Sequence, residues 1–190
     1  MLDAVAISPG PRPITLPFGS ANSPVRIEAI GSRARFALRL RDEAGIASLG
    51  ERFGVALPRE ACRFNEQGER RALWLGPDEW LLVAPYDEAT RLGEELEAGL
   101  SGVAHSLVEV SHRSLGFTLS GRAAESVLAS GCPLDLDRRA FPVGMATRTV
   151  LGKTEIILQR TGHESFQIDV WRSFVGYTLG YLIEAARQHG

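Results

Sequence analysis

Residues 72–84 read Ala72-Leu73-Trp74-Leu75-Gly76-Pro77-Asp78-Glu79-Trp80-Leu81-Leu82-Val83-Ala84. Two apolar runs flank Gly76-Pro77-Asp78-Glu79, whose composition marks a turn. Together they read as a β-hairpin. Its second strand is apolar on both faces, as a strand inside a sheet is.

Upstream of the hairpin, Ala34, Phe36, Leu38 and Leu40 alternate with Arg33, Arg35, Arg39 and Arg41. That period of two predicts a half-buried strand. A helix over 42–53 follows, with Asp42 as N-cap and Ile46, Leu49 and Phe53 on one face. Downstream, a helix begins near Asp87 and aligns Ala89, Leu92, Leu96 and Leu100. Val103 to Val110 is a further strand candidate.

The second half repeats the plan. Leu115, Phe117 and Leu119 alternate in a strand. Ser120 is a candidate cap for a helix holding Ala124, Val127 and Leu128, stopped by Gly131 and Pro133. Strands over 145–151 and 154–160 flank Gly152-Lys153, a hairpin loop. Phe166, Ile168 and Val170 mark another strand, and Ser173 is a candidate cap for a last helix running to Arg187. Each half thus reads strand, helix, hairpin, helix. The fold class expected is α+β: two pseudo-repeated lobes of antiparallel sheet covered by helices. The expected division is an extended N-terminal arm over 1–30, a first lobe over 31–110 and a second over 111–190, the lobes packed as one domain.

The arm carries Pro9, Pro11, Pro13, Pro17 and Pro24, which exclude a regular helix or a central strand. It reads either as a disordered tail or as an extended arm anchored on a partner by Ile14, Leu16, Phe18, Val25 and Ile27. The last helix has two stripes, one of Val175, Leu179, Leu182 and Ala186 and one of Phe174, Tyr177 and Tyr181. Two stripes need two covers. Either the lobes bury both, or a partner subunit covers one. The arm around Phe18 and the aromatic stripe are the expected partner contacts.

The chain has 190 residues, is 44% hydrophobic and carries a formal net charge of −2. It is long enough to bury a core without a metal or disulfide. Its charge argues against a general attraction to nucleic acid or anionic lipid. The first residues lack a basic, apolar leader, and no apolar run is long enough to span a bilayer. A cytoplasmic protein is expected, with Cys62 and Cys132 as free thiols.

Chemistry-bearing patterns are sparse. GxGxxG and GxxxxGK[ST] are both absent, which removes the usual phosphate cradles. The histidines, His105, His112, His163 and His189, lack the spacing of a metal site, and His163 and His189 are expected to be exposed. In Glu109-Val110-Ser111-His112-Arg113-Ser114, adjacent Ser and His on a strand point to opposite faces and do not assemble a nucleophile and its base. The cluster reads as a polar junction with Arg113 paired to a carboxylate. Asp78 and Glu79 read as solvated or capping turn residues, and Trp74 and Trp80 as core or interface packing residues. No catalytic, cofactor-binding or metal-binding residue is expected.

The stretch Trp74 to Leu82 resembles a hallmark of the sarcosine oxidase gamma subunit family. Gly121-Arg122-Ala123-Ala124, Val127-Leu128, Gly131-Cys132-Pro133-Leu134-Asp135-Leu136, Phe141-Pro142, Arg148-Thr149-Val150-Leu151 and Val170-Trp171-Arg172-Ser173 are similar to that family as well. The resemblance runs from about Ala29 to Arg187. It implies the paired lobes of the folate-binding domains of the glycine-cleavage T-protein. It implies an accessory subunit of a heterotetramer that oxidatively demethylates sarcosine to glycine and hydrogen peroxide, passing the one-carbon unit to tetrahydrofolate. FAD, FMN, NAD, tetrahydrofolate and zinc are then held by the partner alpha, beta and delta subunits, with none in this chain. The Lys-Gly-Cys-Tyr-type motif of related stand-alone proteins is missing, and no folate-gripping acidic residue aligns. A stand-alone folate-binding or aminomethyltransferase-like protein is the alternative reading, and a scaffold of another methylamine-oxidising complex is a third.

Overall fold

The computed structural model describes residues 18–20 and 22–189. Two compact units emerge, one over 32–111 and one joining 112–189 to the described residues before Ser32.

In the unit over 32–111, β2 (Arg33–Leu40) leads to α1 (Glu43–Phe53). The Asp42 carboxylate accepts the Gly45 N–H at 2.6 Å, an N-cap of the kind its residue type favours. Three strands follow: β3 (Phe64–Gln67), β4 (Arg70–Gly76) and β5 (Glu79–Pro85). After a single 3₁₀ turn come α2 (Ala89–Gly99) and β6 (His105–Glu109). The sheet order is β3-β4-β5-β2-β6, so β5 is central, as its double-sided apolar pattern requires. Ala34, Phe36, Leu38 and Leu40 face a core shared with Trp80, Leu82, Ile46, Leu49, Phe53, Leu92 and Leu96. Each such Leu contributes roughly 1.5–3 kcal/mol through burial. Strand β3 escapes the alternation test because only Phe64 is buried and the rest lies exposed at the sheet edge.

The other unit uses β1 (Arg26–Ile30), β7 (Ser114–Ser120), α3 (Ala124–Ala129), β8 (Ala146–Leu151), β9 (Thr154–Gly162), β10 (Ser165–Trp171) and α4 (Val175–Arg187). Its order is β1-β7-β10-β9-β8. The registers of the two sheets match. Phe36 and Leu38 oppose Leu82 and Trp80 in one, and Phe117 and Leu119 oppose Ile168 and Phe166 in the other. At the edge, Leu38 opposes Leu107 where Leu119 opposes Ile27. The two units are repeats of one α+β plan, differing in where the fifth strand comes from. β6 follows its helix in sequence, whereas β1 is supplied from before the repeat.

That difference corrects the reading of 26–30 as arm. Val25 and Ile27 are fully buried in the core of this unit, and Phe18 is half-buried with its carbonyl accepting the Ile27 N–H at 3.1 Å. This stretch orders against its own chain. Pro24 sits just before the strand, where a missing N–H costs no ladder bond. Ile14 and Leu16 lie outside the described residues.

Two helix caps also differ from expectation. Ser120 ends β7, and α3 starts after Ala123 with no side-chain cap. Ser173 lies in a 3₁₀ turn, and α4 starts after Phe174, again uncapped by a side chain. In both places a tight turn supplies the entry geometry that a capping hydroxyl would otherwise fix.

Candidate functional site

In the junction Glu109–Ser114, the buried Ser111 hydroxyl accepts the Arg35 N–H at 3.0 Å and donates to Glu109 Oε1 at 2.8 Å. It ties β2 to the segment after β6. His112 is exposed. Arg113 departs from the expected carboxylate pairing: its guanidinium lies over the Trp171 ring, 5.6 Å from the centroid, a cation–π contact.

At the β4–β5 turn, Asp78 Oδ2 accepts from Arg41 Nε at 2.8 Å, and Glu79 Oε2 accepts from Arg39 at 3.1 Å. The Arg41 hydrogen bond holds the Asp78 carboxyl below its ordinary value of 3.8. Both carboxylates are spent on neighbouring guanidiniums. Trp80 is fully buried and donates its indole N–H to the Pro58 carbonyl at 2.9 Å. Trp74, its cross-strand partner, is half-buried against the same core. Both are packing residues.

On α4, Val175, Leu179, Leu182 and Ala186 are buried as the periodicity requires. The aromatic stripe divides. Tyr181 is half-buried and donates its hydroxyl to the Ser130 carbonyl at 2.8 Å. The Tyr177 hydroxyl accepts the Lys153 N–H at 3.0 Å, yet the residue is 40% exposed. Phe174 and Trp171 are 42% and 45% exposed. Gly131 and Gly152 lie beneath the tyrosines, the Gly152 N–H donating to the Gly131 carbonyl at 2.9 Å. A Cβ on either glycine would overlap a tyrosine hydroxyl. Sequence reading treated both glycines as turn markers only, because the partner that excludes a side chain lies far along the chain.

Arg160 was legible only as the end of a strand. It is fully buried, and its Nη1 donates to the Leu136 and Phe141 carbonyls at 2.7 and 3.0 Å. Its Nη2 donates to Glu125 Oε2 at 2.8 Å and to the His163 carbonyl at 2.9 Å. The guanidinium also lies 4.8 Å from the Phe166 ring centroid. The segments Gly131–Leu136 and Phe141–Pro142 thus hang on one buried cation. This is a physical reason for those motifs to occur together.

Concavities open on the described surface. One of about 610 Å³ lies along α1, lined by Ile46, Gly50, Ala56 and Leu57 with Glu43 and Arg59 at its rim. A polar one of about 400 Å³ holds Arg122, Glu125, Asp137, Arg138, His163 and Glu164. Among the described residues no three His, Cys, Asp or Glu side chains form a group able to hold a metal ion. Neither Cys62 nor Cys132 is in a disulfide, and Cys132 is buried. His163 and His189 are exposed, while the His105 ring contacts the Val103 carbonyl and Glu97. No helix among the described residues is long and apolar enough to cross a membrane.

Comparison with known proteins places this framework. A family model described as sarcosine oxidase, gamma subunit family, matches residues 40–188. The sarcosine oxidase subunit gamma of Corynebacterium sp. strain P-1 is 36% identical over 169 residues, covering 88% of this chain and 82% of the relative. That of an Arthrobacter species is 38% identical over 143 residues, covering 75% and 70%. Among solved structures, a chain of the heterotetrameric sarcosine oxidase from Corynebacterium sp. U-96, in complex with pyrrole 2-carboxylate, superimposes with a TM-score of 0.81. The two are 32% identical over 87% of this chain and 85% of that one. The glycine cleavage system aminomethyltransferase T from Bartonella henselae shares the fold, with a TM-score of 0.62 at 15% identity over 85% of this chain and 46% of that chain. Extensive coverage by a family model, by curated relatives and by a solved structure leads to one conclusion: this chain belongs to the sarcosine oxidase gamma subunit family.

Proposed function

We propose that this chain is a non-catalytic subunit of a heterotetrameric sarcosine oxidase. It supports oxidative demethylation of sarcosine by stabilising the assembly. The observation that carries this reading is the likeness to a chain of a solved heterotetrameric oxidase over 87% of the length at 32% identity. The side-chain geometry supports it. Ser111, Asp78, Glu79 and the buried Arg160 are each engaged in holding backbone or a neighbouring side chain.

On this reading the alpha, beta and delta subunits are the partners. FAD, FMN, NAD, zinc and the site that passes a one-carbon unit to tetrahydrofolate belong to them. The test is purification of the chain alone and with those subunits. Alone, it shows no flavin absorbance, no oxidase activity and no saturable heat of tetrahydrofolate binding. Together, it co-purifies with a flavoprotein that oxidises sarcosine. Micromolar folate binding by the isolated chain would replace this reading with the stand-alone one.

A further inference from the structure

The two repeats allow one helix to serve as a control for the other. Helices α2 and α4 each follow a 3₁₀ turn at the end of the equivalent strand. Counted from their first residues, Ala89 and Val175, the core positions correspond. Leu92, Leu96 and Leu100 match Thr178, Leu182 and Ala186, and all six are buried. The outer positions do not match in chemistry. Glu88, Arg91, Glu94 and Glu95 on α2 stand where α4 has Phe174, Tyr177, Gly180 and Tyr181. On α2 these charges form a solvated network, with Arg91 2.8 Å from Glu95 and 3.7 Å from Glu88.

The outer side of α4 therefore has a composition that water-facing helices avoid. Gly176 and Gly180 lower helix stability relative to alanine. Nothing within 4 Å would obstruct a Cβ on either, so packing within the chain does not call for them. Phe174, Tyr177 and Trp171 stay between 40% and 45% exposed. Two exposed cations flank this surface, Arg113 over Trp171 and Lys153 beside Tyr177. Among the described residues neither has a carboxylate at ion-pair distance.

We propose that the outer face of α4, formed by Trp171, Phe174, Gly176, Tyr177 and Gly180 and flanked by Arg113 and Lys153, docks a segment of a larger subunit of the same oxidase. That segment carries apolar side chains toward the aromatics and carboxylates toward the cations. The proposal rests on the subunit reading above. The glycines admit close approach of a partner backbone, and the aromatics supply the rigid contact area that dominates interface energies. Charge decides between occupants. In a symmetric contact between two copies, the same patch meets itself. Arg113 and Lys153 would then face the same cations and repel. An acidic partner segment gains from both.

The test uses the full chain co-expressed with the larger subunits of its own organism's oxidase. Phe174→Glu and Tyr177→Arg each import the residue that α2 carries at the same position. Each should reduce the co-purified larger subunits by about tenfold or more while the isolated variant keeps its circular dichroism spectrum and cooperative melt. Glu94→Gln on α2 is the matched control and should co-purify as wild type does. Arg113→Glu should weaken association most at low salt. Normal co-purification of both Phe174→Glu and Arg113→Glu would overturn the docking face while leaving the subunit reading in place. Failure of the wild-type chain to co-purify would overturn both. A wild-type dimer that Phe174→Glu dissolves would assign the face to a second copy and overturn the proposal.

Discussion

Tyr181 and Gly131 are bound by exclusion: the tyrosine hydroxyl occupies the space that a Cβ on the glycine would need while it donates to the Ser130 carbonyl at 2.8 Å. The end of α3 and the middle of α4 are fixed to each other by this contact. It moves Tyr181 from the expected partner contacts to the residues that hold the fold.

Tyr181→Ala should therefore lower the stability of the isolated chain by about 1–3 kcal/mol, through lost packing and a carbonyl left without its donor. Tyr181→Phe, which keeps the ring, should cost about 1 kcal/mol. Gly131→Ala should destabilise by a similar 1–3 kcal/mol through overlap with the ring. Urea denaturation of the three variants measures this. An unchanged midpoint for Tyr181→Ala would return that residue to the docking face.

Arg160 is fully buried and donates to four acceptors. Arg160→Leu leaves three backbone carbonyls without their donor, while the partly exposed Glu125 regains water, and should cost about 2–4 kcal/mol. Arg160→Lys should recover little, because an ammonium cannot donate from two separated nitrogens to four acceptors. Thermal melting reads the loss directly. Hydrogen exchange should show it first at the segment from Gly131 to Gly144.

Trp80 contributes through both area and its indole N–H. Trp80→Phe retains much of the packing but orphans the Pro58 carbonyl and leaves a cavity, for an expected loss of about 1–3 kcal/mol. Trp74→Phe, at the half-buried cross-strand position, should cost less. A larger loss at Trp74 would contradict the burial order.

Asp78 gives a pH signature of known sign. Its folded value lies below the ordinary 3.8, chiefly through the Arg41 hydrogen bond. A depressed carboxyl contributes stability that is present above 3.8 and is lost as pH falls through the folded value. Solvent screens this exposed pair, so the contribution is small. Asp78→Asn should be slightly less stable than wild type at pH 6, and the difference should shrink at pH 2. A variant as stable as wild type at both values would show that the pair contributes nothing.

Much of the fold was legible because its strands and helices carry strong local patterns. The alternation in Phe36–Leu40, the turn at Gly76–Glu79 and the stripe Leu92–Leu96–Leu100 each determine an element without tertiary information. Strand β1 was hidden because its proline-rich surroundings resemble a linker and its partner, β7, lies some ninety residues on. Strand β3 was hidden because an edge strand needs few buried residues. The site-level features hidden from the sequence are the long-range ones. Nothing near Arg160 in sequence announces Leu136, Phe141 and Glu125, and nothing near Gly152 announces Tyr177. The aromatic stripe was visible on α4, but its division into a tyrosine that holds the fold and an exposed face was not. That division depends on how far each ring is covered by chain distant in sequence.

The measurement that bears most directly on a docking role without catalysis is reconstitution of the oxidase with and without this chain. Sarcosine-dependent hydrogen peroxide production and the melting temperature of the purified complex are followed together. The expected result is that omission lowers the yield and thermal stability of the assembly, and that added wild-type chain restores both while the isolated chain produces no peroxide. An enzyme of full activity and unchanged stability without it would contradict the proposed role.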